Sequence, residues 1–318
     1  MLQRILAIST LALAAFAAAG PAHGDGLVAA TAPPPVRMQY GSVAIEASIG
    51  VMQGEANEYV YRPDHTTVSQ LVWAFDNDVV FNGGIAVMPL DWLALGIRAR
   101  TNISDPSTMD DYDWFRPPEN DLGCPNDYCH SHHDNTSLTS YLSVDAYLAA
   151  TFYENSWIAF KALAGYKRDS QSWRAIGGYA NYTTYAPGQL VISYDQVWRA
   201  PYLGLQFNGE WDRWTLQGRV IGSWWVDGQD QDNHHIRTLL FTDNFGASNM
   251  VGANAHIGYR LTQNLMLKGE YDLQQWDLAK GPSTNFDYTT GVTVFNGGNA
   301  AGGQSISQTF SLGAELDY

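Results

Sequence analysis

Residues 214–224 read Trp214-Thr-Leu-Gln-Gly-Arg-Val-Ile-Gly-Ser-Trp224. Trp214, Leu216, Val220 and Trp224 take the even positions, and Thr215, Gln217, Arg219 and Ser223 fall between them. A β-strand sends successive side chains to opposite faces, so this stretch has one face for an apolar medium and one for a polar interior. The same period recurs along the chain. Leu265, Leu267, Tyr271 and Leu273 alternate with Met266, Lys268, Asp272 and Gln274, and Leu142, Val144, Ala146, Leu148 and Phe152 alternate with Ser143, Asp145 and Tyr147. A soluble sandwich can alternate in this way too. Charges set opposite long apolar stripes, together with an export signal, favour an all-β transmembrane barrel instead.

Tight turn signals punctuate the strands at Pro89-Leu90-Asp91, Glu154-Asn155, Asn208-Gly209-Glu210 and Thr262-Gln263-Asn264. Between them lie long polar stretches at 54–66, 104–136, 182–190, 228–248 and 280–303. Short turns alternating with long loops are the rhythm of an outer-membrane barrel, with the short turns periplasmic. Five long hairpins make ten antiparallel strands, expected at 40–56, 67–88, 91–103, 136–153, 157–181, 190–208, 213–229, 237–261, 264–279 and 303–318. The last of these, Phe310-Ser-Leu-Gly-Ala-Glu-Leu-Asp-Tyr318, alternates and ends on an aromatic, resembling the C-terminal signal read by outer-membrane assembly machinery.

Ahead of the strands, Arg4, the apolar run Ile5–Ala19 and the small-residue stretch Ala22-His23-Gly24 read as a secretory signal. The expected organisation is a signal peptide at 1–24, a flexible lead-in at 25–39 containing Pro33-Pro34-Pro35, and a barrel at 40–318. No later run approaches the roughly 18 uninterrupted apolar residues of a helical span. Charged residues are only 15% of the chain and aromatics 13%, which suits a lipid-facing band with interfacial girdles. The 17 Lys and Arg against 32 Asp and Glu leave a net charge of −15, so nucleic acid is an unsuitable partner and basic peptides are attracted. Cys124 and Cys129, exported to an oxidising compartment, suit a small local disulfide; a zinc pair with nearby histidines is the alternative.

Two acid-rich clusters occupy the polar stretches. The first is Met109-Asp110-Asp111-Tyr112-Asp113-Trp114, and the second runs Trp225-Val226-Asp227-Gly228-Gln229-Asp230-Gln231-Asp232-Asn233-His234. In extended chain, residues two apart share a face. Asp111 and Asp113 then form a carboxylate pair, and Asp230, Asp232 and His234 a row. Paired carboxylates raise one another's proton affinity, and a histidine oriented by a carboxylate can take a proton from water. Facing each other across a barrel mouth, the clusters would activate a water against a peptide carbonyl. Parity opposes this: counted from Trp214, the even positions face lipid, and Asp230, Asp232 and His234 are even. A bulge, or emergence above the bilayer, must re-aim them. Solvated loop acids are the plainer reading. A divalent ion on His130, His132, His133, His234 or His235 is another, although no spacing here matches a strong zinc pattern and no metal is expected.

With these motifs in hand, the sequence resembles the omptin family of outer-membrane aspartic-type endopeptidases. The resemblance rests on Asp111-Tyr-Asp-Trp114, on Trp225-Val226 followed by Asp230-Gln-Asp-Asn-His234, and on supporting matches. Those matches include Val68-Ser-Gln-Leu71 with Trp73 and Phe75, Gly165-Tyr166, Gly177-Gly178 and Pro201-Tyr-Leu-Gly-Leu205. It implies a ten-stranded barrel with a groove at its outer mouth. It also implies catalysis by the Asp232–His234 dyad opposite Asp111 and Asp113, and a specificity pocket with Glu58 and Asp230 at its floor. The implied activity is cleavage at arginine or lysine, often between two of them. Ser131 and His133 fall near groove-lining positions. The resemblance further implies no cofactor, but a need for lipopolysaccharide on the outer wall. Here the basic residues Lys167, Arg168 and Arg199 are shifted from the family spacing, so interfacial arginines reaching for headgroups are an equal alternative. A non-enzymatic adhesin or structural barrel is the alternative function.

Overall fold

The computed structural model describes residues 41–117, 119–120 and 123–318; the expected signal peptide and lead-in lie outside the described residues. The opening stretch lies in a strand running from Trp214 to His234, where Val220 and Trp224 face outward and Arg219 and Ser223 inward. The strands in order are β1 (Val43–Tyr61), β2 (Thr67–Leu90), β3 (Leu93–Asn102), β4 (Pro106–Trp114), β5 (Tyr128–Glu154) and β6 (Ile158–Ile176). They continue as β7 (Tyr179–Ala180), β8 (Leu190–Trp211), β9 (Trp214–His234), β10 (Leu239–Arg260), β11 (Leu265–Asp287) and β12 (Thr293–Asp317). All pairings are antiparallel, and β1 pairs with both β12 and β2, which closes the sheet into a ring.

Among the described residues, twelve strands make ten staves. β3 and β4 both run between β2 and β5 and are two pieces of one stave, broken at 103–105, where Ser104 Oγ accepts the Val79 N–H at 2.7 Å. The two-residue β7 pairs with β5, beside the ring, and its Tyr179 also bridges to Thr184. The C-terminal strand is a full stave: Leu316 lies opposite Ile45 on one side and Leu265 on the other.

The strand ends differ from those expected. The stretches 54–66, 104–136, 228–248 and 280–303, read as long loops, are largely strand, and the described outer connections shrink to 62–66, 115–127, 177–189, 235–238 and 288–292. The physical reason is that a ladder of N–H···O=C bonds needs only a neighbouring strand, whereas the apolar stripe needs lipid. Above the membrane both faces turn polar and the alternation fades while the pairing continues. Exposed apolar side chains such as Ile49, Phe81, Ile97, Leu148, Leu205 and Phe310 mark the lipid belt. Trp92, Trp157 and Trp211 stand near its periplasmic edge, and Tyr166, Trp224 and Trp225 mark the outer one. Residues 225–234 of β9 therefore carry the wall roughly 30 Å further along the strand, at about 3.3 Å per residue.

Within the belt the interior is filled by charge pairs. Lys268 bonds Glu46 and lies 3.6 Å from Glu270 and 3.7 Å from Glu315; Arg98 meets Glu46 at 2.7 Å, Arg100 meets Asp272 at 2.9 Å and Arg219 meets Asp145 at 2.9 Å. Above them lies an aromatic layer. Trp73 stacks on Tyr194 at 5.2 Å and 6°, and Trp173 lies 5.9 Å from each. These two layers close the lumen beneath the outer cleft and give the staves a rigid filling.

Removing the cation from a buried cluster leaves its carboxylates uncompensated. Lys268→Met is expected to lower unfolding free energy by about 3 kcal/mol or more. Arg168→Ala on the outer wall should change it by less than about 0.5 kcal/mol. Chemical denaturation of the refolded barrel in detergent measures both.

Candidate active site

The acids of β9 face inward because the strand changes parity once. Trp224 and Trp225 are both exposed, at 66% and 62%, while Ser223 and Val226 on either side are buried. Val226 lies opposite Ser248 and Ser223 opposite Met250, so two residues of β9 stand against one of β10. Ser223 Oγ accepts the Trp225 N–H at 3.0 Å across the kink. This is a β-bulge, and from it onward the even positions point into the barrel. Asp230 and Asp232 are 3% and 1% exposed. Gly228, on the same inward row, makes room for the core: a Cβ there would lie 2.4 Å from the Trp198 ring.

On β9, His234 Nε2 donates to Asp232 Oδ2 at 2.5 Å, which leaves Nδ1 free to accept a proton. The imidazole is held edge-on to Phe241, 5.4 Å away. Tyr194 Oη donates to Asp230 Oδ2 at 2.8 Å and accepts in turn from Gln196 Nε2 at 2.9 Å; Trp198 Nε1 donates to Gln196 Oε1 at 2.8 Å. This chain fixes the direction of the tyrosine proton toward Asp230.

The break between β3 and β4 starts a fresh inward row of Ser107, Met109 and Asp111, with Asp113 following and Asp110 and Tyr112 outward. Ser69 Oγ donates to Asp111 Oδ1 at 3.3 Å. β4 and β9 are separated by β5, β6 and β8 on one side of the ring and by five staves on the other, so they form opposing walls. Asp232 acts electrostatically on Asp111, and His234 on Asp113. Both predicted clusters therefore face one cleft. They stand on strands rather than in loops, for the reason given above.

Glu58 stands on β1, 2% exposed, and its Oε2 receives no hydrogen bond. Burial, then the negative charges of Asp232, Asp230, Asp243 and Asp111, hold its carboxyl well above the ordinary range. Burial and Asp113 raise Asp111, and Arg237, at the β9–β10 turn, partly offsets that rise. Burial and Asp243 raise Asp230. Asp243, opposite Asp230 on β10, is pushed up to about 6, mainly by burial. These segments all lie beyond the lipid belt.

Ser131 and His133 line the β5 wall beside Asp111. His133 Nδ1 donates to Gly177 O at 2.5 Å, so Nε2 accepts from Ser131 Oγ at 3.1 Å. Gly178 has φ +105, and a Cβ there would sit 2.5 Å from His132 O; a side chain would break this contact. His130 and His132 turn away, both reaching Asp110 Oδ1 at 2.9 Å. Cys124, in the β4–β5 connection, is joined by a disulfide to Cys129 at the start of β5, with Cα atoms 5.2 Å apart. Arg62 ties this connection to the β1–β2 turn through Glu119, 2.6 Å away.

One predicted residue is misplaced. Lys167 does not reach lipid: it points into the barrel, is 8% exposed and bonds Ser143 Oγ at 3.1 Å. Its parity decides this, because Tyr166 and Arg168 on either side face outward. Arg168 and Arg199 do lie side by side on the outer wall, and Arg199 meets Asp227 at 3.1 Å. Sequence reading missed Tyr194, Gln196, Ser69 and Asp243. Tyr194, Gln196 and Trp198 share one face by period two, a signal present in the sequence. Asp243 had none, since its place depends on the β9–β10 register.

Residues 39–318 match the model of the Omptin family. The plasminogen activator of Yersinia pestis is 28% identical over 285 residues, covering 87% of this chain and 90% of that protein. The outer membrane protease OmpP of Escherichia coli (strain K12) is 27% identical over 290 residues, with the same coverage. Among solved structures, the outer membrane protease OmpT from Escherichia coli superimposes with a TM-score of 0.81 at 22% identity, covering 87% of this chain and 97% of that one. At that identity the superposition speaks for the fold.

The raised carboxyls make stability depend on pH. The unfolded Asp243 ionises near its ordinary value of 3.8, and the folded one only near 6. Its contribution is therefore fully present below pH 3.8 and is lost as pH rises through about 6. Relative to wild type, Asp243→Asn is expected to gain up to about 3 kcal/mol between pH 4 and pH 7. Unfolding measured at both values checks the sign.

Proposed function

This chain belongs to the Omptin family and is an outer-membrane protease, and from that premise we propose that it hydrolyses peptides at arginine or lysine by an activated water. The observation that carries the reading is the convergence of the β4 and β9 clusters on one cleft, His234 acting on Asp113 and Asp232 on Asp111. The protease names of the relatives favour this over a non-enzymatic adhesin.

In this scheme a water lies between the two walls. Asp232 accepts the Nε2–H of His234 and orients the ring, and Nδ1 takes a proton as the water oxygen attacks the scissile carbonyl carbon. The carbonyl π electrons move onto its oxygen. Asp111, which burial and Asp113 keep protonated, donates a hydrogen bond to that oxyanion. His234 then returns its proton to the amide nitrogen, the C–N bond breaks, and a carboxylic acid and an amine leave. Asp111 and Asp113 thus act in the transition state more than in substrate binding.

Glu58 and Asp230 supply the cation preference. Both are buried and both keep an oxygen that no protein donor reaches, so a guanidinium or ammonium from the substrate would fill a vacant role. The net charge of −15 adds long-range attraction for basic peptides. On the outer wall, Arg168 and Arg199 stand where a lipid phosphate would meet them, and lipopolysaccharide is the proposed partner there.

The refolded barrel is expected to cut a dibasic peptide, faster with lipopolysaccharide than without. Asp232→Asn or His234→Ala should lower the rate by about 10²–10⁴-fold while the barrel still folds. Wild-type rates from both variants would reject the dyad. Glu58→Gln should erode the preference for basic over neutral residues; an unchanged preference removes Glu58 from the pocket.

A further inference from the structure

We infer that Asp243 on β10 is a third specificity-determining carboxylate, and that with Glu58 and Asp230 it selects a guanidinium, hence arginine, at the cleaved position. The inference rests on the reading of the cleft just given and names a residue that neither the motifs nor that reading uses.

The geometry begins with register. Asp243 lies directly opposite Asp230 across β9–β10, and opposite Ser283 across β10–β11. Side chains directly opposite in an antiparallel pair stand about 4.5–5.5 Å apart at Cβ, and like charges there repel. Glu58 joins them from β1, and Asp243 is among the charges acting on it. Three carboxylates from three staves thus converge. Each is at least nine-tenths buried, with relative exposures of 2% for Glu58, 3% for Asp230 and 1% for Asp243.

Each also has an unfilled acceptor. Glu58 Oε2, Asp230 Oδ1 and Asp243 Oδ1 are buried and receive no hydrogen bond from a protein donor. Leaving one such oxygen bare is costly, and three in one place define a site shaped for a donor-rich cation from outside. Besides burial, the neighbours that act on Glu58 are other acids. Asp230 feels Asp243, with which it shares a hydrogen bond, and Tyr194. Asp243 feels first the hydroxyl of Ser283, then Asp232 and Asp230, so no protein cation is among the main influences on the three.

Access comes from the mouth. A cavity of about 680 Å³ reaches Asp243 between β1, β10, β11 and β12, with Tyr61, Phe241, Ser283 and Phe295 on its walls. Its aromatic sides suit the alkyl stem of a long basic side chain. Of the three carboxylates Asp243 lines this cavity, with Asp230 directly opposite it on β9 and Glu58 acting on the group from β1. A guanidinium presents five N–H donors in a rigid plane and gives up its hydration more readily than an ammonium, which is a compact point charge with three donors. Two carboxylates accommodate either cation. The third, on β10 between the staves of the first two, adds an acceptor that favours the planar fork.

The test uses the refolded full chain in detergent with lipopolysaccharide, and peptides differing only in arginine, lysine or citrulline before the scissile bond. Citrulline keeps the shape of arginine and lacks its charge. In wild type, kcat/KM should follow arginine over lysine over citrulline. Asp243→Asn should cut the arginine-to-citrulline ratio at least about tenfold, mostly through KM, and bring arginine and lysine close to parity. Agmatine, a guanidinium on an alkyl chain, gives a second readout without catalysis: it should bind wild type, and Asp243→Asn should weaken its Kd by about tenfold. Cleavage with unchanged ratios and unchanged agmatine affinity overturns the role of Asp243. Agmatine binding that depends on Asp243, with no peptide cut by wild type, overturns the peptidase scheme and leaves the guanidinium site standing. Failure to bind agmatine and to cut any peptide overturns both.

Discussion

The whole outer cleft depends on one extra residue in one strand. A β-strand cannot change which face a side chain occupies except by slipping its register or inserting a bulge. Up to Trp224 the even positions of β9 must meet lipid, and beyond it the even positions carry Asp230 and Asp232. The adjacent outward tryptophans, Trp224 and Trp225, reconcile those demands within the same strand. They do so at the outer edge of the lipid belt, where an indole is at home on either side of the interface. The β3–β4 break does the equivalent for the opposite wall, since Asp111 and Asp113 stand on the piece that begins after it.

What this arrangement holds together is electrostatically unfavourable. Glu58, Asp111, Asp230, Asp232 and Asp243 are all buried in one cleft. A single carboxylate in such a place would shed its cost by taking a proton; several together compete for protons and cannot all be ionised. The fold tolerates this because the cleft rests on a closed ring, with a stacked Trp73–Tyr194–Trp173 layer beneath it and charge pairs around Lys268 below that. Rigidity from below keeps the acids close, and closeness keeps them reactive. On the function proposed above, the same crowding suits the cleft to a basic ligand and so links the proposed catalytic walls to the choice of substrate.

Much of this was legible in the sequence, and the gaps have physical causes. Inside the lipid belt the environment imposes strict alternation, so Leu265–Gln274 and Trp214–Trp224 announced their faces and the number of staves followed from the turns. Above the belt both faces are wet, the period weakens, and strand became indistinguishable from loop at 104–136 and 228–248. The acid pairs were readable because chemistry requires them at a spacing of two. Their inward aim was not, because a bulge is a property of two paired strands. Lys167 illustrates the opposite error. Its charge suggested the lipid surface, yet the alternation through Tyr166 and Arg168 already assigned it to the interior. Asp243 depends on which residue of β10 lies opposite Asp230, and a single strand read alone contains no trace of that.

The account therefore stands or falls on the parity of β9, and a pair of single-residue deletions in that strand tests it most directly. Removing Trp225 takes out the extra residue, so plain alternation from Ser223 through Trp224 to Val226 keeps Asp230 and Asp232 facing inward. Removing Gln229, beyond the bulge, turns Asp230, Asp232 and His234 to the outer face, and both deletions leave every acid in the chain. The account requires both variants to fold into heat-resistant barrels, as read by gel mobility and β-type circular dichroism, with cleavage of a dibasic peptide kept by the Trp225 deletion and lost by the Gln229 deletion. A Gln229 deletion variant that folds and cleaves at the wild-type rate would contradict it.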